Sequence, residues 1–434
     1  MYSTFNNAID LINWIQNLKR FSRKKSLDKM EYLCSLFDHP EQKFKSIHVT
    51  GTNGKGSVVA YLKNILIESN LNVATFTSPY IVKFNERIMY NDLMISDDDI
   101  LRIGNKIIEK FTFIEKEGYE LPTFFEFITI LAFIYFAEKK NLDIAIIEVG
   151  IGGLLDSTNV INPLISVITN VAMDHMDVLG NSLEEILTNK LGIIKQNTPA
   201  VIGVKSESLK TFVLEYKNRN ALTGNFYFPL FNLPISYKCD LTGTTFEMPD
   251  YGKISLNMYG FHQIENALIA IKTIEILNEC NFRNHLGEEK KISCVLLKRG
   301  LQNTRWPGRL EIVSNNPLIL IDGGHNSDGI NRVMEFIKTL PAKTKRCIFA
   351  CSSNKDKEKM LSLITPYFDE IILTAFTYKR HSDIQELDAI CLHHNKKIIP
   401  NVTNAVEYVK SNPLELNLFI GSLYFVSEIR PQLK

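Results

Sequence analysis

The sequence predicts a mostly parallel α/β sheet domain with a small antiparallel addition, followed by a second, doubly wound α/β domain. Continuous apolar runs such as residues 143–149 are typical of strands buried on both faces of a parallel sheet, and they alternate with segments of helical spacing. Residues 225–258 instead form short alternating runs separated by Asn, Asp, Gly and Pro, which is typical of antiparallel strands. Strand–helix alternation resumes from residue 309, which indicates the second domain.

The domain boundary is predicted where this periodic pattern pauses. Glycine, asparagine and proline residues cluster there, and such residues are typical of connecting segments. A chain of 434 residues is long enough for two or three domains. We therefore expect a first domain, a linker and a second domain at residues 1–298, 299–308 and 309–434.

Charge and composition exclude several classes of partner. The net charge is +1, and the basic run at residues 19–25 is interpreted as a solvated face, so nucleic acid and anionic membranes are not favoured. The seven cysteines are scattered without a Cys-x-x-Cys pair, which fits a reducing compartment, and Cys347 and Cys351 are interpreted as buried small apolar residues. The longest apolar stretch, residues 127–137, is too short to span a bilayer, and residues 1–10 lack a signal-peptide pattern. We expect a cytoplasmic protein.

A glycine-rich loop follows the first predicted strand and precedes a helical pattern. The loop and the first helical residues are Gly51, Thr52, Asn53, Gly54, Lys55, Gly56 and Ser57. Backbone N–H groups at such a turn, the positive end of the helix and the lysine charge all favour phosphate. Val49 stands where the usual pattern has its first glycine, and Gly56 stands where Ser or Thr follows the lysine. The order of strand, loop and helix nevertheless predicts a P-loop-type nucleotide site.

Polar side chains follow three other predicted strands of the first domain. Glu148 ends the apolar run before a glycine turn, which is where P-loop proteins place the carboxylate that holds Mg²⁺. Ser78 and His175 each lie just past a strand end, where ligands of parallel sheets collect. The alternatives are a solvated turn acid, a plain turn serine and a structural histidine. The arrangement predicts a nucleotide and metal site at one edge of the sheet.

The second domain carries polar residues at a strand end but no phosphate loop. Asp322 and His325 follow the predicted strand at residues 318–321. We interpret this domain as Rossmann-like, and we expect the two residues to complete a site formed across the two domains.

Several motifs together resemble one family. The chain is similar to the folylpolyglutamate synthase/dihydrofolate synthase family, relatives of the Mur peptide ligases. The motifs are IHVTGTNGKGS (47–57), TSPYI (77–81), NERI (85–88), FFEF (124–127), EVGIGG (148–153), LDSTN (155–159), ITN (168–170), DH (174–175), LGNSLEEI (179–186), KLGIIK (190–195), GFHQIENA (260–267), WPGRLE (306–311), DGGHN (322–326) and GSLYFVSEIR (421–430).

The resemblance implies an activity and a set of roles. Such enzymes use MgATP to phosphorylate a folate carboxylate, and the amine of L-glutamate then attacks the acyl phosphate. It implies that residues 51–57 bind the ATP phosphates, and that Lys190 is carbamylated. The implied ligands of two Mg²⁺ ions are Ser57, Ser78, Glu148 and His175. Further ATP contacts are implied for Asn266, Arg309, Asp322 and His325. Lys190, His175, Glu148 and His325 form the implied catalytic set.

Two departures from the family pattern concern the substrate. Tyr80 replaces a frequent histidine and Leu154 a common arginine, and both lie where the resemblance places the pterin substrate. The motifs favour glutamate addition to a reduced folate. The alternatives are dihydrofolate synthesis from dihydropteroate, alone or as a second activity, a peptidoglycan amino-acid ligase, a simple P-loop kinase, and a nucleotide-binding regulator without chemistry. We expect a monomer that acts on small molecules.

Overall fold

A computed structural model describes residues 2–20, 26–234, 236–378 and 381–433. Most of the basic run at residues 19–25, predicted as a solvated face, lies outside these ranges. The chain divides into two compact units. The first unit comprises residues 1–233 and 265–301, and the second unit comprises residues 234–264 and 302–434.

The first unit contains an eight-stranded sheet in the order β4-β3-β2-β5-β1-β6-β7-β8. At one edge the pairs β2–β3 and β3–β4 are antiparallel, and the other pairs are parallel. The strands are β1 (Ser46–Thr50), β2 (Val73–Phe76), β3 (Ile88–Tyr90), β4 (Leu93–Met94), β5 (Ile144–Glu148), β6 (Ile165–Ile168), β7 (Ala200–Ile202) and β8 (Phe226–Tyr227).

The order of these strands places a crevice at β1 and β6. The chain leaves β1 towards β2 on one side and leaves β6 towards β7 on the other. Loops that depart in opposite directions leave a gap at the carboxyl ends of two adjacent strands, and ligands of α/β sheets bind there. All residues of β1, β5 and β6 are buried, as their apolar runs predict.

The helices that surround this sheet pack their apolar residues on it. They include α6, whose buried apolar residues lie in one cluster with Trp14 and Phe111. The helices up to residue 303 are α1 (Ala8–Gln16), α2 (Asp28–Ser35), α3 (Lys55–Glu68), α4 (Asp97–Ile108), α5 (Phe111–Lys116), α6 (Phe124–Ala137), α7 (Met176–Leu179), α8 (Leu183–Leu191), α9 (Glu207–Arg219), α10 (Phe261–Glu279) and α11 (Cys294–Asn303). Short 3₁₀ helices lie at Pro40–Gln42, Phe84–Arg87, Ser157–Val160, Pro229–Phe231 and Thr365–Tyr367.

The buried acid Glu126 stabilises the start of α6. Its carboxylate accepts the backbone N–H of Thr123 at 2.7 Å, and the Thr123 hydroxyl in turn accepts the N–H of Glu126. Lys29 forms an ion pair with the same carboxylate at 2.7 Å. Glu126 therefore holds a helix end in place.

A three-stranded antiparallel sheet belongs to the second unit. Its order is β11-β10-β9, formed by β9 (Tyr237–Asp240), β10 (Gly243–Met248) and β11 (Gly252–Leu256). Tyr259, which follows this sheet, packs on Phe336 with ring centroids 5.8 Å apart. The structure places residues 234–264 in the second unit, whereas the predicted boundaries place them in the first domain.

The second unit also contains a six-stranded sheet in the order β12-β13-β17-β14-β15-β16, in which only the pair β12 and β13 is antiparallel among the described strands. Its strands are β12 (Glu311–Asn315), β13 (Leu318–Asp322), β14 (Lys345–Phe349), β15 (Glu370–Ala375), β16 (Lys396–Asn401) and β17 (Leu416–Ile420). Its helices are α12 (Ser327–Thr339), α13 (Lys357–Ile364), α14 (Ile384–Ile390), α15 (Val402–Ser411) and α16 (Leu423–Leu433). Across the described ranges, no helix combines the length and apolar character that crossing a membrane requires.

Candidate active site

The glycine loop lies in the crevice between β1 and β6 and is bonded to the residues that follow β6. Asn170 accepts the N–H of Thr52 with its backbone oxygen at 3.1 Å and the N–H of Asn53 with its side-chain oxygen at 2.7 Å. The Thr169 hydroxyl donates to the Asn53 carbonyl at 2.6 Å. The loop is thus held in a defined shape by the neighbouring strand, which is a requirement for a pre-formed phosphate site.

Two glycines of the loop have neighbours that leave no room for a side chain. A Cβ at Gly51 would overlap the Thr169 hydroxyl. A Cβ at Gly54 would overlap the side-chain oxygen of Asn266, and Gly54 has a φ of +82°, which side chains rarely adopt. The structure therefore brings Asn266 directly onto the loop, although the two are more than two hundred residues apart in the sequence.

Replacing Gly54 by alanine is expected to abolish nucleotide binding because the new Cβ displaces the Asn266 side chain. Gly118 provides a matched control, since its φ is +80° and nothing lies within 4 Å of its Cβ position. Gly118→Ala carries the same backbone strain without a steric neighbour. Isothermal titration with ATP should show lost binding in the first variant alone. Equal affinities of the two variants would contradict the assignment.

Lys55 begins α3 and closes the loop. Its ammonium donates to the Gly51 carbonyl at 2.9 Å and to the Thr52 carbonyl at 3.3 Å. Ser57 is buried in the first turn of the same helix. The positive charge and the helix N-terminus therefore lie at the same point, where an anion is stabilised.

Glu148 and Ser78 are neighbours at the ends of β5 and β2. The backbone N–H of Ser78 donates to the Glu148 carboxylate at 3.1 Å. The segment after Ser78 is fixed by Glu86, whose carboxylate accepts the backbone N–H groups of Ile81, Val82 and Lys83 at 2.7–3.2 Å. Glu148 itself is buried, with 3% of its surface exposed.

His175 is exposed at the start of α7. Its φ of +53° is left-handed, and its backbone N–H donates to the Asp174 carboxylate at 2.9 Å. A left-handed conformation is uncommon outside glycine and asparagine and recurs at functional sites.

Lys190 is buried near the end of α8, with 2% of its surface exposed. Burial and, to a lesser extent, the charge of Lys55 lower the pKa of its amine, Asp174 opposes the change, and the resulting pKa is about 7. These electrostatic effects require that Lys55 and Asp174 lie close to Lys190. The predicted phosphate loop and the predicted modified lysine are therefore in one electrostatic environment.

The lowered pKa of Lys190 makes stability depend on pH. The folded protein releases this proton near pH 7, whereas the unfolded chain holds it up to the ordinary lysine pKa of 10.5. Because the unfolded state binds more protons in this window, the free energy of unfolding is expected to rise with pH from about 7 to 10.5. Lys190→Met should lack this contribution. Urea unfolding of both proteins in CO₂-free buffer measures the difference, and parallel pH profiles would contradict it.

The remaining predicted residues lie together in the second unit. Asp322 ends β13 and accepts the backbone N–H of Leu310 at 2.7 Å and that of Gly324 at 2.6 Å. Burial raises the pKa of Asp322, and the charge of Arg309 counters the rise, which places the guanidinium nearby. His325 donates from Nδ1 to the Gly323 carbonyl at 3.0 Å, so Nε2 carries the lone pair in the neutral ring.

Sequence reasoning did not assign the roles of Thr169, Asn170 and Glu86. The signal for the first two is their position directly after a strand that neighbours the phosphate-loop strand. For Glu86 the signal is an acid three residues after Lys83, which is the spacing of a capping interaction.

The donor set fits Mg²⁺ better than a transition metal. Within the described part of the chain, no three His, Cys, Asp or Glu side chains converge in a metal-binding cluster. Mg²⁺ is commonly held by one or two carboxylates together with substrate phosphates and water. Glu148 beside Ser78, with the hydroxyl of Ser57 at the loop, provides oxygen donors of this kind.

Models of two ligase domains match the chain. The Mur ligase middle domain matches residues 49–274, and the Mur ligase glutamate ligase domain matches residues 308–422. The fold and the site therefore define an ATP-dependent ligase of the Mur type.

Relatives that match over the full length narrow this class. The chain is 35% identical over 431 residues to the dihydrofolate synthase/folylpolyglutamate synthase of Bacillus subtilis, covering 98% of this chain and 99% of the relative. It is 32% identical over 438 residues to the folylpolyglutamate synthase of Lacticaseibacillus casei, with the same coverage. The structure of the apo form of L. casei FPGS has a TM-score of 0.84 at 29% identity and covers 98% of this chain and 99% of that one. The chain belongs to the folylpolyglutamate synthase/dihydrofolate synthase family.

Proposed function

We propose that the protein adds L-glutamate to a reduced folate through an acyl phosphate, with MgATP as the phosphate donor. The observation that carries the proposal is the buried amine of Lys190, which lies within electrostatic range of the loop lysine Lys55. A simple kinase or a nucleotide-binding regulator has no need of such an amine. A related FPGS structure contains AMPPCP and folate together, at 30% identity and a TM-score of 0.82.

In this proposal the loop binds the ATP phosphates. The N–H groups at the start of α3 and the ammonium of Lys55 neutralise negative charge on the phosphates, which otherwise repels the folate carboxylate. We propose ATP contacts for Asn266, Arg309, Asp322 and His325, with Arg309 and His325 nearer the phosphates. The carboxylate oxygen then attacks the γ-phosphorus as the bond to ADP breaks.

Ser57, Ser78, Glu148 and His175 would hold two Mg²⁺ ions. When bound, these ions supply charge neutralisation at the transferred phosphoryl group. A buried amine with a pKa of about 7 is largely neutral at physiological pH, and a neutral amine reacts with CO₂. We infer that Lys190 is carbamylated, which converts the buried amine, with loss of a proton, into a negatively charged carbamate near the phosphate loop.

The second half-reaction forms the amide. The amine of glutamate attacks the acyl carbonyl carbon, the bond to the phosphate oxygen breaks, and inorganic phosphate leaves as the amine loses a proton. His175, Glu148, His325 and the modified Lys190 are the residues that we propose to position and neutralise the reacting groups.

A reduced folate is the substrate that we favour, and dihydropteroate is the second candidate. The B. subtilis relative is named for both activities, whereas the L. casei relative is named for one. Tyr80 lines a cleft of about 420 Å³ with residues of α1, and its hydroxyl accepts a hydrogen bond from Gln16 at 2.9 Å. Leu154, at the other departure from the family pattern, is exposed on 43% of its surface.

A side-by-side assay tests the proposal. Purified protein receives ATP, Mg²⁺ and glutamate with either tetrahydrofolate or dihydropteroate, and mass spectrometry detects products longer by one glutamate. Product from tetrahydrofolate alone supports a folylpolyglutamate synthase, and product from both supports a bifunctional enzyme. If neither substrate yields product, or if phosphate release proceeds unchanged without glutamate, the ligase mechanism is wrong for this protein.

We further propose that the protein acts as a cytoplasmic monomer on small molecules. The seven free cysteines and the net charge of +1 support a reducing compartment and the lack of a polyanionic partner. Sedimentation at micromolar concentration tests the oligomeric state.

A further inference from the structure

The motif at residues 155–159 and the buried His48 have no role in the mechanism above. We propose that His48 is a positioning residue for the ligase reaction. Through Thr158 and Asp156 it fixes the loop at residues 149–159, which connects Glu148 with the last turn of α8, where Lys190 lies. This inference rests on the proposed function of Glu148 and Lys190.

His48 lies in the middle of β1 and is fully buried. Its Nε2 is 2.8 Å from the Thr158 hydroxyl, and that hydroxyl donates its single proton to Asp156 at 2.6 Å. Thr158 must therefore accept from His48, so the ring is the tautomer with a proton on Nε2. Burial lowers the pKa of His48 to about 3, which keeps this ring neutral.

The surroundings of the other ring nitrogen indicate that stability alone does not account for a histidine at position 48. Among the described residues, Nδ1 of His48 is buried without a hydrogen-bond partner. A buried acceptor without a partner destabilises the fold, and an apolar side chain of similar size would avoid this cost. The benefit of a histidine here is the one hydrogen bond that it donates to Thr158.

Asp156 connects Thr158 by hydrogen bonds to the loop that follows Glu148. One carboxylate oxygen accepts from Thr158 through both the hydroxyl and the backbone N–H, the latter at 3.0 Å. The other oxygen accepts the backbone N–H of Ile151 at 3.0 Å, and the Gly150 N–H also bonds to this carboxylate. The orientation of Asp156 therefore sets the course of the chain immediately after Glu148.

The same loop is attached to the last turn of α8, which carries Lys190. The Leu154 N–H donates to the Asn189 carbonyl at 2.7 Å, and the Asn159 amide donates to the Leu154 and Gly192 carbonyls at 3.0 Å each. A Cβ at Gly153 would lie only 2.8 Å from the Asn189 carbonyl oxygen. The loop is thus a rigid connection between Glu148 and Lys190, and its shape sets their spacing.

Paired variants at His48 test the role. Gln places an amide N–H near the position of Nε2, whereas Asn is too short to reach Thr158, and both bury the same polar group. His48→Asn is expected to lower kcat by about 10–100-fold with the KM for ATP unchanged, because small displacements of reacting groups have effects of this size. His48→Gln should recover most of this loss. If kcat falls equally in both variants, or falls only in proportion to their melting temperatures, His48 is purely structural.

A second pair keeps the test valid if the His48 variants do not fold. Thr158→Val removes the hydroxyl at constant volume, and Thr158→Ser retains it. In ligand-free protein, hydrogen exchange of the Gly150 and Ile151 amides should be faster in Thr158→Val and unchanged in Thr158→Ser, and kcat should fall only in the former. Equal exchange and equal kcat would overturn the proposal. If the exchange difference appears but the native protein adds no glutamate to any folate, the loop connection is correct and the proposed function fails.

Discussion

Replacing Lys190 by alanine is expected to lower kcat by about 10³-fold, the size of effect seen when a pre-organised electrostatic group is removed from a reacting centre. The side chain is buried and its pKa is about 7, so its loss removes a group that the fold holds close to the phosphate loop. If the carbamate is the active form, formate or acetate should restore part of the activity, since a small carboxylate fits the space that the side chain leaves. Steady-state kinetics with increasing carboxylate measures this.

Lys195 provides the control for this prediction. It is also a partly buried lysine with a lowered pKa, but its ammonium donates to the carbonyl and side-chain oxygens of Asn159 at 2.7 and 3.0 Å. Lys195→Ala should impair stability without any response to added carboxylate. Full activity of Lys190→Ala without carboxylate would show that the modification is not required.

Replacing Lys55 by alanine is expected to abolish turnover while the fold remains intact. The ammonium is the positive charge at the N-terminus of α3, and its removal leaves the phosphates and the folate carboxylate without a neutralising charge. The hydrogen bonds to the Gly51 and Thr52 carbonyls are lost too, so circular dichroism must accompany the kinetics.

Lys63 on the same helix is the matched control. It forms an ion pair at 2.8 Å with Asp92, whose side chain is exposed, and pairs with an exposed partner contribute little to stability. Lys63→Ala should retain both activity and ATP affinity. Activity of Lys55→Ala within the range of the Lys63 variant would show that Lys55 has no catalytic role.

The sequence predicts most of the fold because its buried elements have strong local patterns. The bounds of α6 at residues 124–137 follow from its apolar run, and β5 is one residue shorter at each end than its run. The strand β3 and the edge strands β4, β12 and β16 were not predicted. They are short or only partly buried, so their sequences carry weak periodicity, and their pairing depends on the neighbouring strand.

The candidate site, like the fold, has features that the sequence predicts and features that it does not. Polar residues at strand ends, such as Glu148, can be found from the sequence because parallel strands direct their carboxyl ends to one edge. The attachment of the glycine loop to Thr169 and Asn170 could not be found from the sequence, because it depends on which strands are adjacent in the sheet. Nor does a sequence reveal that Lys190 is buried within electrostatic range of Lys55, because burial is a property of the packed chain.

The anchoring of residues 81–83 by Glu86 has a consequence for the evolution of substrate range. The three hydrogen bonds hold backbone N–H groups, which every residue except proline possesses, so the course of this segment does not depend on its side chains. Tyr80 and Val82, which line the cleft beside α1, are therefore open to replacement without rebuilding the segment. Under the proposed function, in which the pterin ring approaches Tyr80, a lineage that retains Glu86 can change its ring preference by single substitutions while Ser78 and Glu148 keep their places.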